Sequence, residues 1–219
     1  MKRVDIAIIG GGIVGSAVAY FLARPGRAGT IAVVEPDPSY EFSATPAANG
    51  GIRQLFSLPE NIRMARYGLD FFAGFHETMA MDGQSADIGF QRRGYLFISD
   101  DGGHGQMEIN HRLQVSLGAR VDLLEGAALA ARFPSINGAD MACAVHSPDD
   151  AWINPQAALM GFRDKARALG VDYIKDRVVD WRAHGGVARD VVLGSGETVA
   201  ADSFVLAAGA WSGEIGAMI

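Results

Sequence analysis

The stretch "VDIAIIGGGIVGSAVAYFLA", Val4 to Ala23, constrains the fold more than any other part of the chain. Its first half is a short, continuous apolar run, as expected of a parallel strand buried on both faces. The second half, Ile13–Ala23, reads as a helix that ends before Arg24-Pro25-Gly26, where proline and glycine break it. Between them stand Gly10, Gly11, Gly12 and Gly15. Glycines at this density disfavour one long helix and suit a tight turn from strand to helix. The segment also has a basic start and enough apolar length to suggest a signal or membrane segment. Asp5 and the central glycines argue instead for a soluble strand–turn–helix.

Gly10, Gly12 and Gly15 form G-x-G-x-x-G across that turn. In this pattern the first glycine permits the sharp turn and the second lets a pyrophosphate approach the backbone. The third lets helix and strand pack closely. The helix N-terminus offers unpaired N–H groups and a partial positive charge to the phosphates. Glu35 closes a second expected strand, Thr30–Glu35, at the spacing where a carboxylate accepts hydrogen bonds from ribose hydroxyls. A dinucleotide is the expected ligand. Nicotinamide-binding domains usually continue from the second strand through a helix to a third buried strand. Residues 36–58 show no such strand. They form a loop rich in Pro, Ser, Ala and Gly with one arginine, Arg53, which suits wrapping a larger cofactor.

From Pro59, the positions Ile62, Ala65, Leu69, Phe72, Phe75 and Met79 repeat at helical spacing. The middle of the chain changes character. Gly94–Ser99 reads as a strand, Met107–Leu117 and Glu125–Phe133 as helices, and Asp140–His146 as a strand. No mononucleotide-binding pattern occurs there, so a second domain is expected to be inserted into the first. Asn154-Pro155 then starts a helix carrying Leu159, Phe162, Ala166 and Leu169 on one face and stopped by Gly170. Strands follow at Arg177–Ala183, Ala188–Leu193 and Glu197–Ala200, joined by Gly185-Gly186 and Gly194-Ser195-Gly196 turns. A last strand is expected over Ser203–Ala208.

Composition excludes several classes of function. The chain has 219 residues, 49% of them hydrophobic and 20% charged, as in an ordinary globular protein. Its net charge of −6, with both signs scattered, leaves no basic face for nucleic acid. The single cysteine, Cys143, cannot form an internal disulfide, which fits a reducing, cytoplasmic setting. The five histidines are dispersed and no His/Cys pair has ligand spacing, so no metal site is expected.

Beyond these readings, the sequence resembles a known family. "DIAIIGGGIVGSAVAYFLA", "VVEPD", "GGIRQLFS", "WINPQAAL" and "VLAAGAWS" follow one another in the order seen in FAD-dependent oxidoreductases of the D-amino-acid oxidase type. That group includes glycine oxidase, sarcosine oxidase and related amine and hydroxy-acid dehydrogenases. The resemblance implies an α/β fold: a Rossmann-like FAD-binding domain with a β-meander, plus part of an inserted α+β substrate domain. The implied division is 1–85 and 151–219 for the FAD-binding domain and 86–150 for the partial substrate domain.

The resemblance also implies the cofactor, FAD, and its contacts. Gly10, Gly11, Gly12, Ile13, Val14 and Gly15 would lie at the pyrophosphate, with Glu35 and Pro36 at the adenosine ribose. Thr45, Gly50, Gly51, Ile52 and Arg53 would approach the pyrophosphate-to-flavin side. Val178 would meet the adenine edge through its backbone, and Ala208, Gly209 and Trp211 would form a second flavin contact. The implied reaction is dehydrogenation of a small amino acid or related amine, with oxygen or a quinone reoxidising the flavin. A 2-hydroxy acid is the alternative substrate, and an NAD(P) dehydrogenase is a further alternative that residues 36–58 disfavour.

Two departures qualify the resemblance. "TPAANGG" replaces a serine-richer stretch, which reduces hydroxyl contacts there. Members also run to nearly twice this length, so the chain is expected to be truncated. A non-catalytic flavin- or ADP-binding fragment is then an alternative function, and its exposed sheet edges would favour a homo-oligomer. Asp149-Asp150 read as turn residues, Arg92-Arg93 as solvated and Cys143 as a packed small residue. No catalytic residue is named by the sequence.

Overall fold

The computed structural model describes residues 1–219 apart from 26–28, 82, 85, 138, 139 and 186. The expected break at Gly26 and turn at Gly186 therefore lie outside the described residues. The chain divides into two compact units. One comprises Met1–Asn49, Met79–Ala86 and Pro155–Ile219; the other comprises Gly50–Thr78 and Asp87–Asn154. Residues 50–78, assigned by the sequence to the first domain, cluster with the inserted segment.

The first unit opens with β1 (Lys2–Ile9), the turn, α1 (Ile13–Ala23) and β2 (Ile31–Val34). All four residues of β2 are buried, as are Val4, Ala7, Ile8 and Ile9 of β1. The loop after β2 carries one helical turn, α2 (Ala44–Ala47).

The second unit begins at β3 (Gly51–Ile52), followed by α3 (Pro59–Ala73) and α4 (Phe75–Thr78). One continuous helix to Met79 was expected; Gly74 divides it, since glycine is a poor helix former and a good helix end. Next come β4 (Gln91–Arg92), β5 (Tyr95–Ser99) and α5 (Asp101–Ser116). Helix α5 starts earlier than the expected Met107, through a glycine-rich turn. The Asp100 side chain makes this possible by accepting the Gly103 amide at 3.2 Å as an N-cap. The helix expected from Glu125 resolves into β6 (Asp122–Glu125) and α6 (Gly126–Arg132), followed by β7 (Cys143–Ser147) and β8 (Ala151–Trp152). These strands form two antiparallel sheets, β3-β8-β4 and β5-β7-β6. Leu55, Ala119, Val121 and Val145 make the core, with Tyr95, Met107 and Leu123 packed on it.

The first unit resumes with α7 (Pro155–Ala168), which buries Ala158, Leu159, Phe162 and Ala166. It packs on α1, where the Tyr20 and Phe162 rings lie 5.8 Å apart. Gly170, at φ +94°, ends the helix and leads into β9 (Asp172–Ile174), parallel to β2. This is the third parallel strand that residues 36–58 lack; its three residues are too few for a periodicity signal.

Then follow β10 (Val178–His184), β11 (Val187–Leu193), β12 (Thr198–Leu206), a 3₁₀ turn at Gly209–Trp211 and α8 (Ser212–Gly216). The sheet order is β10-β11-β12-β1-β2-β9. Its β12, β1, β2 and β9 run parallel, while β10, β11 and β12 form the expected antiparallel meander. The two strands expected at Glu197–Ala200 and Ser203–Ala208 are one. Thr198–Ala200 pair with β11, and pairing with β1 holds the chain extended from Val199 to Leu206. Asp202, in the middle, stays exposed and meets Arg3 at 2.6 Å. Valines and isoleucines of β1, β2, β11 and β12 fill the core around Trp181, each fully buried side chain contributing roughly 1.5–3 kcal/mol. Among the described residues, no helix is long and apolar enough to cross a membrane.

Candidate cofactor site

The four glycines of the turn have different neighbours. Gly10 has φ +98°, and a Cβ there would lie 2.5 Å from the Ala207 carbonyl oxygen. A Cβ on Gly15 would overlap the Gly10 carbonyl oxygen. Backbone conformation and the end of β12 thus demand the first glycine, and close helix–strand packing demands the last. Gly11 lies against Glu35 and donates its amide to Glu35 Oε2 at 2.8 Å. Around Gly12, the one described atom within 4 Å of a Cβ position is Thr45 Oγ1, at 3.8 Å. Its backbone is open on that side.

Helix α1 has no side-chain cap of its own, because Gly12 is its N-cap residue. Thr45 Oγ1 accepts the Ile13 amide at 3.3 Å. The amides of Gly12 and Val14 have no partner among the described residues, and they carry the positive end of the helix dipole. Glu35, half-buried, accepts the Asp37 amide through Oε1 at 2.9 Å and the Gly11 amide through Oε2. An ionised carboxylate has about four acceptor sites, so both oxygens can still accept hydroxyl donors. Pro36 follows at the surface.

The end of β12 runs beside the turn: the Ala207 amide donates to the Ile9 carbonyl at 2.8 Å. Ala208 adjoins Gly10, while Gly209 (φ +57°) and Trp211 are exposed beyond it. Val178 opens the edge strand β10, opposite Leu193 of β11, with its side chain in the core. The structure therefore brings together Gly10–Gly15, Glu35, Thr45 and Ala208.

Gly50, Gly51, Ile52 and Arg53 belong to the second unit, where Gly51–Ile52 pair with β8. The Arg53 guanidinium lies over the rings of Phe56, Tyr95 and Phe97 at 5.3, 5.9 and 5.4 Å. Its Nε is buried without a partner among the described residues. Three π faces stabilise this cation. An open groove of about 510 Å³ runs past Arg53, Phe56, Asn61 and Met64.

Two features of this unit escaped the sequence. Asp149 is the turn residue expected and pairs with Arg120 at 2.7 Å, but Asp150 is fully buried. Asp150 Oδ1 accepts from the Gln54 amide at 3.1 Å and from Ser147 Oγ at 2.8 Å. Burial pushes its carboxyl up to about 6, against those two hydrogen bonds. Secondly, His104, Glu108 and Glu125 bring ligand atoms within 4.8 Å of one another, a grouping of the kind that can hold a metal ion. His104 Nε2 lies 2.9 Å from Glu125 Oε1, and Arg112 stands 3.6 Å from Glu108. The His104–Glu108 spacing was visible in the sequence, but the approach of Glu125 depends on the unexpected strand β6.

The family described as "DAO: FAD dependent oxidoreductase" matches residues 5–219 of this chain. The chain belongs to that family. It is 34% identical over 203 residues to FAD-dependent oxidoreductase domain-containing protein 1 of Xenopus laevis, a likeness covering 90% of this chain and 40% of that protein. To glycine oxidase of Bacillus licheniformis it is 29% identical over 220 residues, covering 98% of this chain and 56% of the other. L-proline dehydrogenase from P. horikoshii has the same fold, with a TM-score of 0.83 at 24% identity over 99% of this chain and 56% of that one. The chain thus spans about half the length of these proteins. Its residues fit the family's cofactor: the open backbone at Gly12 and the unpartnered amides of Gly12 and Val14 suit a diphosphate, and the Glu35 carboxylate suits ribose hydroxyls.

Proposed function

We propose that this chain forms the FAD-holding part of an oxidoreductase that dehydrogenates a small amino acid or a related amine. The reading is carried by one juxtaposition: the open Gly12 backbone, the free amides of α1 and the Glu35 carboxylate share one turn. The likeness to a glycine oxidase along nearly the whole chain supports the substrate class.

Within this reading, the Gly12 and Val14 amides and the α1 dipole hold the pyrophosphate. Glu35 accepts the adenosine ribose hydroxyls while its two backbone donors keep it oriented. Thr45 braces the helix start through Ile13. Ala208, Gly209 and Trp211 carry the chain from β12 toward the flavin, which when bound supplies the hydride-accepting chemistry. Oxygen or a quinone is the proposed reoxidant, and buried Cys143 fits a cytoplasmic setting.

The test is the visible spectrum of the purified chain after incubation with FAD and removal of excess. Anaerobic bleaching is then measured with glycine, sarcosine and proline, in this chain and in the longest natural form of the protein. Bound flavin that these amines bleach in the longer form supports the proposal. Failure of both forms to retain flavin overturns it.

A further inference from the structure

A directed hydrogen-bond chain runs into the glycine turn from β9. Tyr173 Oη donates to Ser16 Oγ at 3.1 Å, and Ser16 Oγ donates to the Gly11 carbonyl at 2.7 Å. Ser16 is fully buried in the first turn of α1, and Tyr173 is half-buried. On the other side of the same residue, the Gly11 amide donates to Glu35. The backbone of Gly11 is thus tied at both its amide and its carbonyl, by side chains from β9, α1 and the end of β2.

These ties bear on ligand binding. Gly11 stands between Gly10, fixed by the crossing of β12, and Gly12, whose backbone is open. The Gly11–Gly12 peptide contains the Gly11 carbonyl that Ser16 holds, so its rotation would break that bond and re-aim the Gly12 amide. Glycine offers little intrinsic resistance to such rotation, so resistance has to come from hydrogen bonds. Burial pushes the Tyr173 phenol up to about 12, so it keeps its proton to donate at neutral pH. Consecutive hydrogen bonds polarise one another in a low-dielectric interior, so loss of the outer one weakens the inner one.

Resting on the FAD-binding reading, we propose that Tyr173, acting through Ser16, is a positioning residue that holds the Gly11–Gly12 peptide ready for the cofactor's diphosphate. Tyr173 itself touches no cofactor in this assignment. Its contribution is preorganisation: the turn does not have to be ordered when the ligand arrives.

The experiment is a double-mutant cycle read as FAD and ADP dissociation constants, using wild type, Tyr173→Phe, Ser16→Ala and the double variant. Ligand-free thermal midpoints are recorded alongside. Tyr173→Phe removes one oxygen atom and is expected to weaken both ligands about threefold to tenfold, the span of one ordinary hydrogen bond. In the Ser16→Ala background the same change should cost almost nothing, because the relay is already cut. A purely structural role would lower the thermal midpoint without this coupling in ligand affinity. Unaltered FAD and ADP affinity in Tyr173→Phe, or equal losses in both backgrounds, overturns the proposal. Absence of FAD and ADP binding by wild type would instead strike at the FAD-binding reading itself.

Discussion

Glu35 and Gly11 are joined by a hydrogen bond of 2.8 Å from backbone amide to carboxylate. The acid that ends β2 is thereby held against the turn that ends β1. One carboxylate sets the conformation of the glycine turn and retains acceptor capacity for a ligand.

Replacing Glu35 with Gln keeps the shape and removes the charge. Its amide nitrogen cannot accept, so either a backbone amide or a ribose hydroxyl loses its acceptor. FAD affinity is expected to fall about tenfold to a hundredfold, the range for hydrogen bonds to a charged group. Titration followed by flavin fluorescence measures this, with ADP as the control ligand.

Gly12 and Gly15 should separate binding from stability. Gly15→Ala forces a methyl group into the Gly10 carbonyl and is expected to cost about 3 kcal/mol, the upper end of overpacking penalties. Gly12→Ala meets no described atom closer than 3.8 Å, so its stability should stay within about 1 kcal/mol of wild type. Its methyl group would nevertheless occupy the space left for the diphosphate, so FAD binding should fail. Urea denaturation and FAD titration on both variants check the contrast.

Asp150 makes stability depend on pH in an unusual direction. Burial raises its folded carboxyl to about 6 from an ordinary 3.8, so the folded state holds the proton more tightly than the unfolded state. Its contribution to stability is full below pH 3.8 and is lost as pH rises through about 6. Asp150→Asn should flatten this part of the profile between about pH 4 and pH 6. Denaturation midpoints of the two proteins across that range measure it.

Cys143 should be chemically silent in the native protein. It is fully buried, and its thiol is pushed up by burial and by the charges of Glu125 and Glu108. A thiol reagent such as Ellman's is expected to react with it only after denaturant is added. Fast labelling of the native protein would contradict its burial.

The parts of the fold legible in the sequence are those whose local pattern and tertiary role agree. The β1–turn–α1 unit is one, because its apolar run, its glycines and its helix all serve the same buried site. Strand β9 was missed because three residues carry no periodicity, and only the edge of β2 makes them a strand. The first turns of helix α5 carry no sequence signal, because their glycines oppose helix formation and only the Asp100 cap offsets them. The site follows the same rule. Gly12 and Glu35 could be read from spacing, whereas Ser16 and Tyr173 could not, since nothing local connects residues so far apart in sequence.

Strand β12 has a consequence for the order in which the protein can assemble. β1 pairs with β2 on one side, but on the other side its partner is β12, nearly the whole chain away. During synthesis, β1 must wait for β12, which is made much later. Until then its Val, Ile and Ala residues present an unpaired apolar margin. Closing so distant a pair is slow, and the waiting intermediate is the species most exposed to aggregation. The yield of folded protein should therefore be set less by the finished molecule's stability than by how well that early strand is shielded while the chain is still growing.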